Sequence, residues 1–446
     1  MGNQTSKDPK TALSGLTDTE RNALTSLFES AHDAKSQSVT PASVTPASLA
    51  SHLSPILPAT LRQAIASLAS RLSDGKGKTV SFSGLAATVR IIVFGSVLEK
   101  QRLVDVYATL VEPAGTREFV KDLAAGVGIG VNNKKAHVPT DRFVDFLLEK
   151  CCPSTNVTED VFSSSSNKSP LVIPPLSEFC TWFPRNAYLQ VLWDALFTSA
   201  FFGADSSTST LQIPTLTAPS TLLTVEDLFI LHSNMASEFK ESREWVQRFA
   251  SDKHGKSWTV FMNSVEDCGA VLVAVRDKDG HIFGGFASKD FKLNPKFYGD
   301  NTSFVFFLRP KIGVFLPTGY NDHYQYFNSG TQTLPNGMGF GGQLNYFGLW
   351  IDASFESGHS KAEPKSTTYD NPRLSKQEEF TIDFVEAWLI KPKEVDERLV
   401  TKKGKKSVLD DDSAAAMLEM GGRRLYSKEI GRDETKEEDE EESNDS

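Results

Sequence analysis

The sequence predicts an α+β chain: a helical N-terminal region followed by a strand-rich domain. Apolar residues recur at helical spacing through residues 11–152. Residues 222–390, by contrast, hold 18 of the 30 Phe, 6 of the 9 Tyr and 15 of the 30 Gly. Aromatic residues beside glycines suit strands joined by tight turns. At 446 residues, 39% hydrophobic and 23% charged, the chain has the length for two or three domains and the apolar content for sizeable cores.

The first segment, residues 1–10, begins Met1-Gly2-Asn3-Gln4-Thr5-Ser6 and fits the pattern for N-myristoylation. The acyl chain requires Gly2 at the N-terminus once Met1 is removed, and Ser6 supplies the small hydroxyl position. The segment is polar throughout and does not read as a secretory signal. One acyl chain binds membrane only marginally, with a partition constant on the order of 10⁴ M⁻¹. Lys7 and Lys10 add little beside Asp8, so a protein partner already on the membrane is the expected second anchor. The longest nearly apolar stretch, Val89 to Leu98 interrupted by Arg90, is far short of the ~20 residues of a membrane span. A chain made and kept in the cytosol is expected.

Within residues 11–152, Thr17 and Glu20 form a capping box ahead of Leu24, Leu27 and Phe28. Further helices are expected at Pro58–Leu72, Leu85–Leu98, Gln101–Val111 and Asp141–Cys152. Between two of them lies Asp74-Gly75-Lys76-Gly77-Lys78-Thr79, where an EF-hand loop would fit. Lys76 and Lys78 stand where oxygen ligands are needed and Leu85 where the bidentate Glu belongs. A degenerate, metal-free EF-hand-like region follows. Residues 153–221, rich in Ser, Thr and Pro, read as a linker holding one short apolar helical segment, Ala187–Phe202.

Residues 222–390 open on a helix capped by Thr224 and Asp227, with further helices expected at Phe239–Phe249 and Trp258–Val265. Ala270–Val275 reads as a buried strand, turned by Asp277–Gly280 into a returning strand at His281–Phe286. More strands are expected at Ser303–Leu308, Ile312–Leu316, Gln325–Phe327, Gly348–Ala353 and Ile382–Leu389, with Gly337–Gly342 as a turn. Residues 391–446 are charged: Ser407 and Asp410 cap a short helix presenting Leu409, Met417 and Met420, and an acidic run, Glu437–Glu442, follows. Such a short helix is marginal alone and is expected to fold against its own domain or a partner groove.

Net charge is −10, which argues against nucleic acid as a partner. Cys151, Cys152, Cys180 and Cys268 form no CxxC pair, so neither a zinc site nor a disulfide framework is indicated. Phosphate-loop, HExxH and GxSxG motifs are absent, and no cofactor is expected. Tyr320-Asn321-Asp322-His323 and Gly358-His359-Ser360 carry the residue types of acyl transfer, without a recognisable nucleophile elbow. A hydrolase or redox enzyme with a pocket around His323, His359 and Cys268 is therefore the secondary reading.

Ordered blocks across residues 222–390 carry a resemblance. They include Gly284-Gly285-Phe286-Ala287, Gly299-Asp300-Asn301, Thr318-Gly319-Tyr320-Asn321-Asp322-His323-Tyr324, Pro335-Asn336-Gly337-Met338-Gly339, Tyr346-Phe347-Gly348-Leu349-Trp350 and Val385-Glu386-Ala387-Trp388. The segment resembles the TLDc domain family. The whole-chain layout is similar to the myristoylated, lysosome-directed, mTOR-linked branch of that family. The resemblance implies a two-sheet antiparallel β-sandwich with flanking helices, non-enzymatic action, a link to oxidative-stress resistance, and binding to the peripheral sector of the vacuolar proton-pumping ATPase. It also implies mTOR complex components as partners and peripheral attachment to the lysosomal membrane, with the plasma membrane a second destination. Candidate partner-interface residues are Tyr320, Asn321, Asp322, His323, Gly337, Gly339, Leu409, Met417 and Met420.

Overall fold

The computed structural model describes residues 16–32, 43–74, 77–110, 115–131, 137–152, 173–203 and 211–393. Helices come first: α1 Asp18–Ser30, α2 Pro46–His52, α3 Ala59–Asp74, α4 Phe82–Val89, α5 Val97–Leu110, α6 Thr116–Ala124, α7 Asp141–Glu149, α8 Phe179–Trp182 and α9 Ala187–Phe202. The Thr17–Glu20 capping box closes α1 in both directions. Val44 and Val80 exchange backbone hydrogen bonds at 2.8 Å, tying the segment before α2 to the α3–α4 connection, loop to loop. Leu85, at the position of the acidic ligand in an EF-hand, is fully buried.

The run expected as one helix over Leu85–Leu98 is broken. It passes from α4 into a π turn, Arg90–Phe94, and the chain bends by 116° before α5. Gly95 interrupts the ladder, and Ser96 restarts it as a cap whose backbone N–H donates to Glu99 Oε2 (2.9 Å). Helix α6 had no counterpart among the expected helices. Helix α9, expected as a short segment inside a linker, is a central core element instead. It is apolar on nearly every side, and Trp193 stands fully buried against Phe119, Phe179, Phe183 and Phe197.

The second half contains β1 Thr215–Leu216, α10 Val225–Asn234, α11 Ser237–Lys240, β2 Glu244–Ala250, α12 Ser251–His254, α13 Trp258–Val265, β3 Gly269–Asp277, β4 Ile282–Ala287 and β5 Asn294–Tyr298. It continues with β6 Phe304–Arg309, β7 Gly313–Phe315, β8 Gln325–Asn328, β9 Gly337–Gln343, β10 Tyr346–Asp352, β11 Ser357–His359 and β12 Glu379–Pro392. The sandwich is one curled sheet in the order β5-β8-β9-β10-β11-β12-β3-β4-β6-β7. Its pairs are antiparallel, apart from the short β1–β2 pair. Strand β12 is the seam: residues 379–381 pair with β11, residues 382–392 with β3, and residues 386–389 with β2.

Side-chain alternation sets the layers. Ala270, Leu272 and Ala274 of β3 join Phe286, Phe304 and Phe306 in a core continuous with the helices. Val271, Val273 and Val275 point the other way, against Phe327, Met338, Phe340, Leu349 and Ile351 of the facing half. Both faces of β3 are buried, which is why it reads as an unbroken apolar run. Gly285 permits a close approach of the halves, since a Cβ there would lie 2.8 Å from Phe340.

Two of the elements expected in the second half take another form. Phe239–Phe249 is not one helix: α11 ends at Lys240 and β2 begins at Glu244. Trp245 and Phe249 are both buried, and a spacing of four satisfies a helix face and a strand face alike. Gly337–Gly342 is not a turn but most of the buried strand β9, with Gly337, Gly339 and Gly341 lying under aromatic rings.

Candidate functional site

The outer face of the second sheet half, away from the helices, carries an aromatic layer. Tyr326 (β8), Phe347 and Trp350 (β10) form it, with Phe297 of edge strand β5 packed alongside. Phe347 stacks on Trp350 with centroids 4.4 Å apart, and Phe297 stacks on His323 at 4.5 Å. His359 of β11 closes the other end, 6.2 Å from Trp350. Gly337 and Gly339 are the floor of this layer: a Cβ at Gly337 would meet Trp350 at 2.6 Å, and one at Gly339 would meet Phe347 at 2.5 Å. Both glycines are buried, so neither offers a partner any surface of its own. Their expected role as interface residues is corrected to a structural one, beneath the aromatic layer.

The loop from Thr318 to His323 borders the layer and is pinned from beneath. Thr318 N donates to Thr368 O (2.8 Å), Thr368 Oγ1 donates to Asn321 Oδ1 (2.9 Å), and Asn321 Oδ1 also accepts from His323 N (3.2 Å). Asn321 is thus a half-buried strut, while Asp322 is exposed. Tyr320 is 80% exposed, a value matched only by Val138 among the large hydrophobic residues described. A large aromatic side chain held out on a braced loop is a surface with the composition of an interface anchor.

The groups of the enzyme reading are not assembled. His323 Nδ1 is 2.7 Å from Gly342 O, an acceptor that occupies it. Ser360 is fully buried, donating to Gly348 O (2.7 Å) and accepting from Leu374 N (2.9 Å). Cys268 packs against the inner core and its Sγ donates to Val265 O (3.1 Å), whereas His323 and His359 line the outer layer. Burial, then the nearby Lys361, pushes the His359 imidazole down to about 4. Burial likewise raises the Cys268 thiol, away from the thiolate that nucleophilic or redox work needs.

A buried ion cluster, which no local sequence pattern signals, lies between the helical region and the sheet domain. Arg142 of α7 donates to Asp227 Oδ1 (2.7 Å) and to Leu308 O (2.7 Å), and Arg309 pairs with both Asp227 oxygens at 3.0 and 2.8 Å. Glu226 beside it accepts from Thr140 N (2.7 Å) and Thr140 Oγ1 (2.5 Å), with His137 Nε2 at 3.2 Å. Burial raises both carboxyls, but the bonds from Arg309 and the charges of Arg142 and Arg309 outweigh it at Asp227, and His137 and Thr140 do so at Glu226. Asp227 also keeps its local duty, accepting from Thr224 N at 2.9 Å. That cap is the only trace the local sequence holds.

Gly2, Leu409, Met417 and Met420 lie outside the described residues.

Residues 216–391 match the family model for the TLDc domain. The chain is 43% identical over 208 residues to MTOR-associated protein MEAK7 of Gallus gallus, covering 46% of this chain and 43% of that protein. It is 43% identical over 203 residues to MTOR-associated protein MEAK7 of Homo sapiens, covering 45% and 44%. Oxidation resistance protein 1 of Bos taurus is 32% identical over 179 residues, covering 40% of this chain and 19% of that protein. In each case the match spans less than half the length of the relative.

Proposed function

We propose that this chain, whose residues 216–391 form a TLDc domain, is a non-enzymatic adaptor in mTOR signalling and the response to oxidative stress. The observation that carries the reading is its 43% identity to proteins named for association with mTOR. The 32% identity to a protein named for oxidation resistance supports the wider role. In this reading an acyl chain on Gly2 gives weak, reversible attachment to the lysosomal or plasma membrane. The TLDc domain then supplies specificity for the peripheral sector of the vacuolar proton-pumping ATPase and for mTOR complex components. Two weak contacts on one surface combine through effective concentration, gaining about 10²–10⁴ over either alone. Tyr320, braced and exposed, is the anchor this reading assigns to the partner.

The test is affinity purification of the tagged full-length chain from lysosome-enriched membranes, wild type beside Gly2→Ala, with partners identified by mass spectrometry. Pump subunits or mTOR components with wild type, reduced with Gly2→Ala, are the expected result. Recovery of neither class from acylated wild type would remove the partner assignment.

A further inference from the structure

A cavity of about 250 Å³ lies between residues 211–215 and the segment that joins α10 to β2. Leu211, Ile213 and Pro214 form an apolar wall. The polar lining is His232, Lys240, Ser242 and Arg243 with Gln212 and Thr215, and it contains no carboxylate. The segment is held in place by its own backbone. Thr215 N donates to Arg243 O (2.8 Å), and His232 Nε2 donates to Lys240 O (3.3 Å).

The two cations of this cavity differ from those that the domain's carboxylates neutralise. Arg276, Lys289, Lys292, Lys361, Lys365, Lys376 and Lys393 all pair with carboxylates. Among the described residues, Lys240 and Arg243 pair with none. Both cations line the same cavity, so an anion bound there would face two positive groups at once. Lys240 is half-buried, and His232 behind it is buried. A partly desolvated ammonium with no counter-charge is unfavourable, and an anion entering from outside relieves it.

We propose that this cavity binds a phosphate-class anion, held by the Arg243 guanidinium and the Lys240 ammonium against the His232 floor. A guanidinium fork and an ammonium point charge match the oxygens of a phosphate group. The apolar wall and the volume leave room for part of the molecule that bears the phosphate. This site is independent of the adaptor reading and of the Tyr320 loop.

Calorimetry on the full-length chain with inorganic phosphate and with inositol hexakisphosphate tests it, alongside flotation with phosphatidylcholine vesicles with and without phosphatidylinositol bisphosphate. Saturable binding is expected, weakened roughly tenfold or more in Lys240→Gln and in Arg243→Gln, the loss of one charge-assisted hydrogen bond. Lys240→Arg keeps the charge and is expected to keep the binding, as is Lys311→Gln at an exposed position outside the cavity. Binding of the soluble anions assigns a free phosphate ester, and binding of the vesicles alone assigns a lipid headgroup. The proposal is overturned if wild type binds no probe saturably, or if Lys311→Gln weakens binding as much as the cavity variants do.

Discussion

Arg142 of α7 and Asp227 of α10 are 85 residues apart in the chain and 2.7 Å apart in space. The contact crosses from the helical region to the sheet domain, and Arg309 completes it from the end of β6. Removing the carboxylate leaves the half-buried Arg309 guanidinium without its ion pair and Arg142 with Glu226 alone, 3.7 Å away. Asp227→Asn is expected to destabilise the protein by about 3–5 kcal/mol, read by denaturant unfolding. Asp227 titrates below its ordinary value in the fold, so its contribution is present above the unfolded carboxyl pKa and is lost as pH falls through the lower, folded one. The variant is therefore expected to lose part of the acid sensitivity shown by wild type.

His359 gives a second pH dependence, in a different window. Unfolded, its imidazole takes up a proton near the ordinary 6.5; folded, only near 4. The unfolded state binds more protons between those values, so stability falls as pH drops from 6.5 toward 4. Its imidazole resonances in a heteronuclear NMR titration are expected to move near pH 4, and His359→Gln is expected to flatten the slope of stability across that window.

Gly339 has an ordinary backbone conformation, so the effect of a side chain there is steric alone. Gly339→Ala drives a methyl group into Phe347 and displaces the Phe347–Trp350 stack. A loss of about 1–3 kcal/mol is expected, together with a changed near-ultraviolet circular dichroism spectrum from the disturbed aromatic layer.

Tyr320 is expected to behave in the opposite way. Its ring is exposed, so Tyr320→Ala should leave unfolding within about 0.5 kcal/mol of wild type. If the loop is the anchor, the same variant recovers less of the membrane-resident partner in the affinity purification. Unchanged recovery would remove Tyr320 from the interface.

Local chemistry made much of this fold legible. The capping boxes at Thr17 and Thr224 mark true helix starts, and the apolar run at Ala270–Val275 is a strand buried on both faces. What misled was ambiguity of period or of composition. Trp245 and Phe249 fit a helix as well as a strand, and the glycines of β9 resemble a turn until the rings above them are known. Gly341 and Gly342, with φ of +67° and +84°, re-aim that strand, so that Phe340 and Leu349 face inward while Phe347 faces out. The ion cluster and the basic cavity join residues distant in sequence, and no local pattern encodes such meetings.

Strand β12 has a consequence for how the protein is made. It is the last strand of the sheet to be synthesised, yet it closes the seam between the halves. Until it leaves the ribosome, β3 and β11 each present a bare edge, and the two halves have no shared strand to hold them in register. A nascent chain at that stage is exposed to pairing with the wrong neighbour. Truncation ahead of Glu379 would make that transient vulnerability permanent.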